Sequence, residues 1–388
     1  MIESASARAV KQGANGVNPD AQAVNDELII GVVGPLPPPA GGMATQTRQL
    51  VDLLSAEGFP VQVAQTNAAY SPAWIKKIRG VRALFRLLPY FREVWKLAGK
   101  VSVIHLMANS GWSWQLFSAP VIWLAWIRKT PVIVNYRGGE APQYFSRSMP
   151  WIRPTMKRAV KIVVPSRYLE KVFSDYGFHC EVIPNIINLE RFVPNDAISS
   201  KSDSRFTLIV TRNLEAIYGL PTAIKALALA AEKIPTIELL IAGTGPEKER
   251  LENLSKRLDV DDKVRFVGRL GPGEIEKFYQ GADIMLNPTT VDNMPNSILE
   301  ALASGVPVIS SNVGGVPYMV EHEKTALLIP VNDEKAMARQ IIRLYKDNKL
   351  RKNLILSGLQ DVAQYDWMNV KPLWLSAYRS VQHKLRIT

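Results

Sequence analysis

The feature that most constrains the fold is an alternation of short apolar runs with helix-length stretches that stops once and then starts again. Leu28–Val33, Val61–Gln65, Val101–Leu106, Pro131–Asn135 and Lys161–Val164 read as buried strands, with helical patterns between them. "ELIIGVVGPLPPPAGG" carries the first strand into a Pro/Gly loop, and "MATQTRQLVDLLSAEG" then reads as a helix stopped by Gly58. The polar stretch "FVPNDAISSKSDSR", Phe192–Arg205, reads as a linker. Beyond it the pattern returns, with strands expected at Phe206–Val210, Glu238–Ala242, Val264–Val267, Ile284–Asn287, Pro307–Ser310 and Leu327–Ile329. Strand–helix alternation of this kind implies parallel, doubly wound α/β sheets, so two Rossmann-like domains are expected. Their ligands should sit at the carboxyl ends of the strands, in a cleft between the domains. The expected bounds are a polar tail at 1–27, a first domain at 28–197 and a second at 203–360. A last helix at 366–388 follows the polar segment "GLQDVAQYD".

Composition narrows the class. With 388 residues and 47% hydrophobic content, the chain has material for two cores. A single cysteine, Cys180, rules out an internal disulfide framework and suits a reducing compartment. The first 27 residues lack the apolar core of a signal peptide and read as a disordered tail. The apolar run Ala119–Ile127 is too short to span a bilayer.

Charge is distributed unevenly. From Tyr70 to Lys171 there are 18 Lys and Arg against 3 Glu, a local excess of +15 that leaves about −3 for the rest of a +12 chain. The same segment holds seven of the nine tryptophans. Within it, "WIKKIRGVRALFRLLPYFREVWKLAGK", residues 74–100, interleaves Lys and Arg with Trp, Leu and Phe at roughly helical spacing. Such a segment is either an interfacial amphipathic helix or a core helix with a solvated basic face, and Pro89 is expected to break or kink it. The local charge favours an anionic membrane surface as partner. Nucleic acid is set aside, because no groove-reading or base-stacking motif accompanies the charge.

One stretch concentrates candidate chemistry. "DNMPNSILEALASGVPVIS", Asp292–Ser310, places a loop after the strand Ile284–Asn287, then a helix, a glycine and another strand. Asn293 or Asn296 can cap that helix and Pro295 fits its first turn. Free N–H groups and the dipole at a helix N-terminus suit a phosphate or a sugar hydroxyl. Asp292 in the loop and Glu300 in the helix would face one crevice. The alternative is purely structural: Ser297 and Glu300 as a capping box and Asp292 as a turn residue.

The same stretch, continued through "SNVGGVPYMV", resembles the signature of the family 4 (group 1) retaining glycosyltransferases, in which two acidic residues flank seven others before an apolar helix and a "G-x-PV" turn. "LIIGVVGPLPPPAGGMATQTRQL", "KIVVPSRYLEKVFSDYG", "VIPNIINLERF", "LLIAGTGPEKERLENL", "VRFVGRL" and "YDWMNVKPLWLSAYRSV" extend the resemblance in order over most of the chain. It implies a GT-B fold, with a nucleotide-sugar held mainly by the second domain and the last helix crossing back to the first. It also implies roles for single residues. Glu300 would hold the ribose hydroxyls, and Asp292, in place of a Glu, would reach the sugar near its anomeric carbon. Backbone N–H groups of Met294, Asn296 and Ser297 would lie near the sugar or the diphosphate. Arg212 in "VTRNLEAIYGL" would hold the diphosphate, where a guanidinium stabilises the charge of the leaving group. A surface ion pair is the plainer account of that arginine.

Other matches are weaker, and two positions depart from the pattern. Gly41 and Gly42 match a glycine pair that closes over the donor or faces the acceptor, although any turn would explain them. Gly243 and Gly245 in "AGTGP" either admit the nucleotide base or make a tight strand–helix turn. His105 matches the first position of a His-x-His pair, with Met107 in the second, so His105 is either an acceptor-side contact or a packed strand residue. Arg137 and Glu140 in "NYRGGEA" are further acceptor-side candidates. Where members carry a Lys-Gly pair six residues after the arginine, this chain has Tyr218-Gly219, which removes one phosphate cation. Lys225 lies too far along the next helix to replace it.

These readings predict a retaining transfer of sugar from a nucleotide-diphosphate-sugar to a saccharide or lipid-linked acceptor in cell-surface polysaccharide or glycolipid synthesis. The expected place is the inner face of the cytoplasmic membrane. No cofactor is expected beyond the donor substrate, and no metal, since four dispersed His and one Cys do not form a ligand cluster. A non-catalytic nucleotide-sugar-binding scaffold is the alternative, motivated by Tyr218 and Met107. A nicotinamide enzyme is disfavoured, because the Pro-rich loop after the first strand lacks G-x-G-x-x-G.

Overall fold

Strands β1 (Ile30–Gly34), β2 (Val61–Gln65), β3 (Val103–Ala108), β4 (Val132–Tyr136), β5 (Lys161–Val164) and β6 (Glu181–Val182) pair in the order β2-β1-β3-β4-β5-β6. A second sheet, from β7 (Phe206–Thr211), β8 (Ile237–Ala242), β9 (Val264–Gly268), β10 (Ile284–Asn287), β11 (Val308–Ser311) and β12 (Leu327–Ile329), pairs as β12-β11-β10-β7-β8-β9. Every strand pair in both sheets is parallel. The computed structural model describes residues 28–38, 41–69, 81–195 and 205–387. The centre of the expected linker and residues 74–80 of the basic segment therefore lie outside the described residues.

Parallel sheets are covered on both faces, and strand alternation decides which side chain goes where. In the first sheet, Ile104, Leu106, Val132 and Val134 pack under α2 (Val81–Ala98), α3 (Ala119–Ile127), α4 (Ala141–Met156) and α5 (Arg167–Ser174). The other face, with Val32, Val103, Ile133 and Val163, is covered by α1 (Gly42–Ala56) and by the last helix of the chain. In the second sheet, Leu208 and Val210 face α6 (Leu220–Ala231), α7 (Lys248–Arg257), α10 (Glu334–Lys346) and the start of α11 (Asn348–Val362). Ile209 and Met285 face α8 (Glu274–Gln280) and α9 (Asn296–Ala303).

The last helix, α12 (Trp367–Ile387), belongs by contact to the first sheet. Trp367, Val370, Trp374, Ala377, Tyr378 and Val381 form its buried stripe at helical spacing. Lys371 Nζ lies 2.7 Å from Glu57 Oε2 and Trp367 Nε1 donates to Glu57 Oε1 at 3.0 Å, which fixes the start of the helix to the end of α1. Truncating the fully buried Trp374 would cost about 3–5 kcal/mol, since both transfer energy and a cavity are involved.

Three expectations need correction. Pro89 lies inside α2 without ending it. The segment Gly358–Asp366 is not a polar spacer: α11 runs through it to Val362 and a short 3-10 turn, Ala363–Tyr365, follows. Gly358 sits close against Leu302, and Val362 and Tyr365 are buried beside α9, so the segment packs on the second domain. The two-residue β6 carries too short a pattern to be read from sequence. Ile187 and Phe192, expected to close the first domain, pack with the core of the second. Among the described residues no helix is long and apolar enough to cross a membrane.

Candidate active site

The carboxyl ends of both sheets face a cleft of about 820 Å³, with a second cavity of about 220 Å³ opening beside it. Gly42, Arg212, Tyr218 and Asn296 line both, so they form the partition between the two spaces.

Arg212 follows the last residue of β7, the strand paired with β10. Its Nε and Nη2 donate to Asn287 Oδ1 at 3.0 and 2.8 Å, and Nη2 reaches Asp292 Oδ2 at 2.5 Å. Asn287, the last residue of β10, is itself held by a bond to Ser310 Oγ on β11 at 2.9 Å. The guanidinium also lies over the Tyr218 ring at 5.1 Å. Both partners of the Arg212–Asp292 pair are largely buried, so the arginine is an internal element of the cleft and not a surface ion pair. Burial pushes the Asp292 carboxyl up, and Arg212 opposes that push.

The Asp292 loop is fastened by contacts that the sequence reading did not include. Gly315 N donates to Asp292 O at 2.9 Å, and a Cβ at Gly314 or Gly315 would collide with the carbonyls of Asp292 and Asn293. The "GG" of "SNVGGV" is thus needed for close backbone approach behind the loop. Asn293 does not cap a helix. Its Nδ2 donates to Gly138 O at 2.7 Å and Arg137 O at 3.1 Å, bonding the second domain to the first. Asn185 adds to that seam, donating to Met294 O at 2.8 Å and Asn296 Oδ1 at 2.6 Å.

Helix α9 begins at Asn296 with Pro295 just before it and no side-chain cap, so Pro295 is not in the first turn. The capping box is not formed either. Ser297 Oγ is buried without a partner among the described residues, and Glu300 Oε2 instead accepts from Tyr279 Oη at 2.8 Å. Tyr279 sits on α8, fully buried, and bonds Thr211 Oγ1 at 2.7 Å. Glu300 and Ser297 line the smaller cavity, and Met294 the larger. Burial raises the Glu300 carboxyl above its ordinary range, with the Tyr279 hydrogen bond pulling the other way. An uncapped helix start beside an unpartnered hydroxyl leaves donors available to an anionic or polyol ligand.

The glycines divide. Gly41 and Gly42 border the smaller cavity; an added Cβ at Gly41 would meet nothing, and one at Gly42 would come 3.7 Å from Asn296 Nδ2. Gly243 lines the same cavity, whereas Gly245 lines neither. Their backbones press against the carbonyls of Arg212 and Leu214, which explains both as close approach of two strand-end loops.

On the first domain, Arg137 and Glu140 line the larger cleft. Arg137 is held by Asn135 Oδ1 and Asn185 Oδ1, and burial lowers it to about 10, so it stays charged at neutral pH. His105 does not reach the cleft. It is fully buried against Trp374, with Nδ1 2.8 Å from Tyr378 Oη and Nε2 3.0 Å from Asn135 Nδ2. Burial, helped by Arg137, lowers it to about 3, which keeps the ring neutral. The physical reason is alternation: His105 points to the face of β3 that α12 covers. Met107 is buried too, with its sulfur accepting from Asn135 Nδ2 at 3.4 Å. Lys225 is exposed on α6 and lines neither space. Among the described residues no three His, Cys, Asp or Glu gather closely enough to hold a metal.

The chain that builds this cleft matches known proteins in sequence and in shape. Residues 40–191 match the family described as Glycosyltransferase Family 4, and residues 194–360 match Glycosyl transferases group 1. The chain belongs to this glycosyltransferase family. It is 31% identical over 153 residues to N-acetyl-alpha-D-glucosaminyl L-malate synthase of Bacillus anthracis, covering 39% of each chain. It is 29% identical over 221 residues to alpha-monoglucosyldiacylglycerol synthase of Streptococcus pneumoniae, covering 51% of this chain and 49% of that one. The chain thus spans half or less of the length of these two relatives. Among solved structures, sucrose-phosphate synthase of Thermosynechococcus elongatus superimposes with a TM-score of 0.73 at 21% identity, over 91% of this chain and 99% of that one. Anabaena HepE, solved in complex with UDP, gives 0.71 at 17% identity, over 91% and 100%. The fold is therefore GT-B.

Proposed function

We propose that the protein is a retaining, metal-independent glycosyltransferase that moves a sugar from a nucleotide-diphosphate-sugar to a saccharide or lipid-linked acceptor. The observation that carries this reading is the partition. Arg212 borders both spaces, so a diphosphate lying against it would have its nucleoside in the smaller cavity, near Glu300, and its sugar in the larger one, near Asp292. The names of the relatives support transfer over a non-catalytic scaffold, and one of those names is that of a glycolipid synthase.

In this reading Arg212 and the open N-terminus of α9 supply the positive field at the leaving diphosphate, in place of a metal. Asp292 is held by Arg212. The reaction in this reading is a front-face exchange, as the family resemblance implies. The bond from the anomeric carbon to the phosphate oxygen breaks, with its electrons going to the phosphate. The acceptor hydroxyl attacks from the same face, and its proton passes to the departing phosphate. Asp292 and the Met294–Ser297 backbone orient the sugar, while Glu300 holds the ribose.

Location at the inner face of the cytoplasmic membrane, in cell-surface polysaccharide or glycolipid synthesis, is part of the same proposal. The local excess of +15 and the Trp-rich segment 74–100 support an anionic lipid partner. Calorimetry with a panel of nucleoside diphosphates and nucleotide-sugars tests the core of it. One base should bind, and Glu300→Ala should weaken it. Binding of none by the wild type would overturn the transferase reading.

A further inference from the structure

Among the described residues, the larger cleft holds a partly buried cation with no ion-pair partner. Its arginines are Arg137, Arg147 and Arg212, and its carboxylates are Glu140, Glu215 and Asp292. Arg212 takes Asp292. Gln143, Tyr144, Arg147 and Ser148 line the cleft from one row of α4, with Glu140 just before the helix, at the spacing of a single helix face. Arg147 on that row is exposed, so water screens it. Arg137 follows the last residue of β4, is only partly exposed, and has neutral side chains alone as partners. A charge taken out of water against neutral partners costs folding free energy.

The partners that Arg137 does have fix its direction. Its Nε donates to Asn135 Oδ1 at 3.2 Å, and its Nη1 donates to Asn185 Oδ1. Each carboxamide is oriented by its other end. Asn135 Nδ2 donates to His105 Nε2 at 3.0 Å and to Met107 Sδ at 3.4 Å, while His105 Nδ1 meets Tyr378 Oη. Asn185 Nδ2 donates to Met294 O and Asn296 Oδ1. Both amides use their donors elsewhere and turn their acceptors on Arg137. Two of the five guanidinium N–H groups are thereby used, and Nη2 has no partner among the described residues. A planar fork held by two amides, with its remaining edge unpaired, suits the paired oxygens of a carboxylate or phosphate. The same fastening sets which substrate lies nearest. Asn185 ties Arg137 to the Met294–Asn296 segment, and Asn293 Nδ2 donates to the Arg137 carbonyl at 3.1 Å. In the proposed function that segment orients the transferred sugar.

We propose that Arg137 determines the specificity of the larger cleft by pairing with an anionic group, a carboxylate or a phosphate, on the sugar bound there. Its attachment to the donor-side loop puts that group on the transferred sugar, as in a uronic acid, and the acceptor is the other source. Which substrate carries the group rests on the transferase reading, whereas the anion site does not. In the test, the full chain is titrated by calorimetry with UDP-glucose against UDP-glucuronic acid, and with GDP-mannose against GDP-mannuronic acid. In a second arm, with UDP or GDP present, ligand-observed NMR follows glucose, glucuronic acid and glucose 6-phosphate. Wild type is compared with Arg137→Gln and Arg137→Lys. The wild type should favour the uronate of one pair by about tenfold or more, the scale of a charge-assisted hydrogen bond. That preference should vanish in Arg137→Gln and survive in part in Arg137→Lys, which keeps the charge without the fork. A preference confined to the free-sugar arm and lost in Arg137→Gln would keep the site and assign the anion to the acceptor. No preference for an anionic over a neutral sugar in either arm would overturn the proposal. So would a preference that Arg137→Gln leaves intact; a lowered denaturation midpoint in that variant would then make Arg137 a strut between the domains. If no nucleotide binds while Arg137-dependent binding of glucuronic acid or glucose 6-phosphate persists, the anion site stands and the transferase reading falls. If Glu300→Ala weakens nucleotide binding but no anion is preferred, the transferase reading stands and the anion site falls.

Discussion

The two walls of the cleft are built on different principles. On the second domain the candidate charged groups are locked before any ligand arrives: Arg212 by Asn287 and Asp292, Glu300 by Tyr279, and the Asp292 loop by Gly315. On the first domain Arg137 is held likewise, by Asn135 and Asn185, but the rest of the wall is glycine backbone, an exposed Glu140 and a polar row on α4. The contrast indicates a division of labour. Fixed charges that stabilise a transition state must be held in place, because reorganising them would cost the energy they supply. Recognition of a mobile partner has no such requirement.

That contrast can be broken most sharply at Arg212. Arg212→Ala removes the cation and leaves Asp292 buried without its partner, so turnover should fall about 10²–10³-fold, as measured by steady-state kinetics. A loss of that size from Glu140→Ala instead would put the chemistry on the wrong wall. Glu300→Ala should cost about 100-fold, and wild-type rates in that variant would remove Glu300 from the site. Because burial raises both Asp292 and Glu300, their ionised forms are lost as pH falls through values above the ordinary carboxylate range. The acid limb of kcat/KM should accordingly lie above that range and shift in Glu300→Gln.

Smaller effects sharpen the comparison. Tyr218 lies at the partition as a neutral ring stacked by Arg212. Tyr218→Lys should tighten nucleoside diphosphate binding roughly tenfold, the scale of one charge-assisted hydrogen bond, with calorimetry as the readout. Unchanged affinity would show that Arg212 alone serves the phosphates. His105→Leu should leave KM near wild type and cost about 1–3 kcal/mol of stability, because Tyr378 and Asn135 lose a buried partner. Chemical denaturation measures the second effect, and a kinetic defect without a stability loss would return His105 to the acceptor side.

The sequence by itself determined all strands of the two parallel sheets but β6, since each of the others is a short apolar run bounded by turn residues and several bounds fell on the observed residue. It also determined the existence of the Asp292–Glu300 unit, because loop, helix and strand lie consecutively in the chain. What it could not determine were contacts between segments far apart in sequence. Tyr279 on Glu300, Asn287 on Arg212 and Asn293 on the Gly138 carbonyl join residues that only strand order brings together. His105 shows the reason most directly. Its place on β3 was legible, but whether its face met solvent, substrate or a helix depended on α12, more than 250 residues later, returning to cover that side of the sheet. Local pattern fixes what a segment becomes, and tertiary packing alone decides which of its side chains remain free to act.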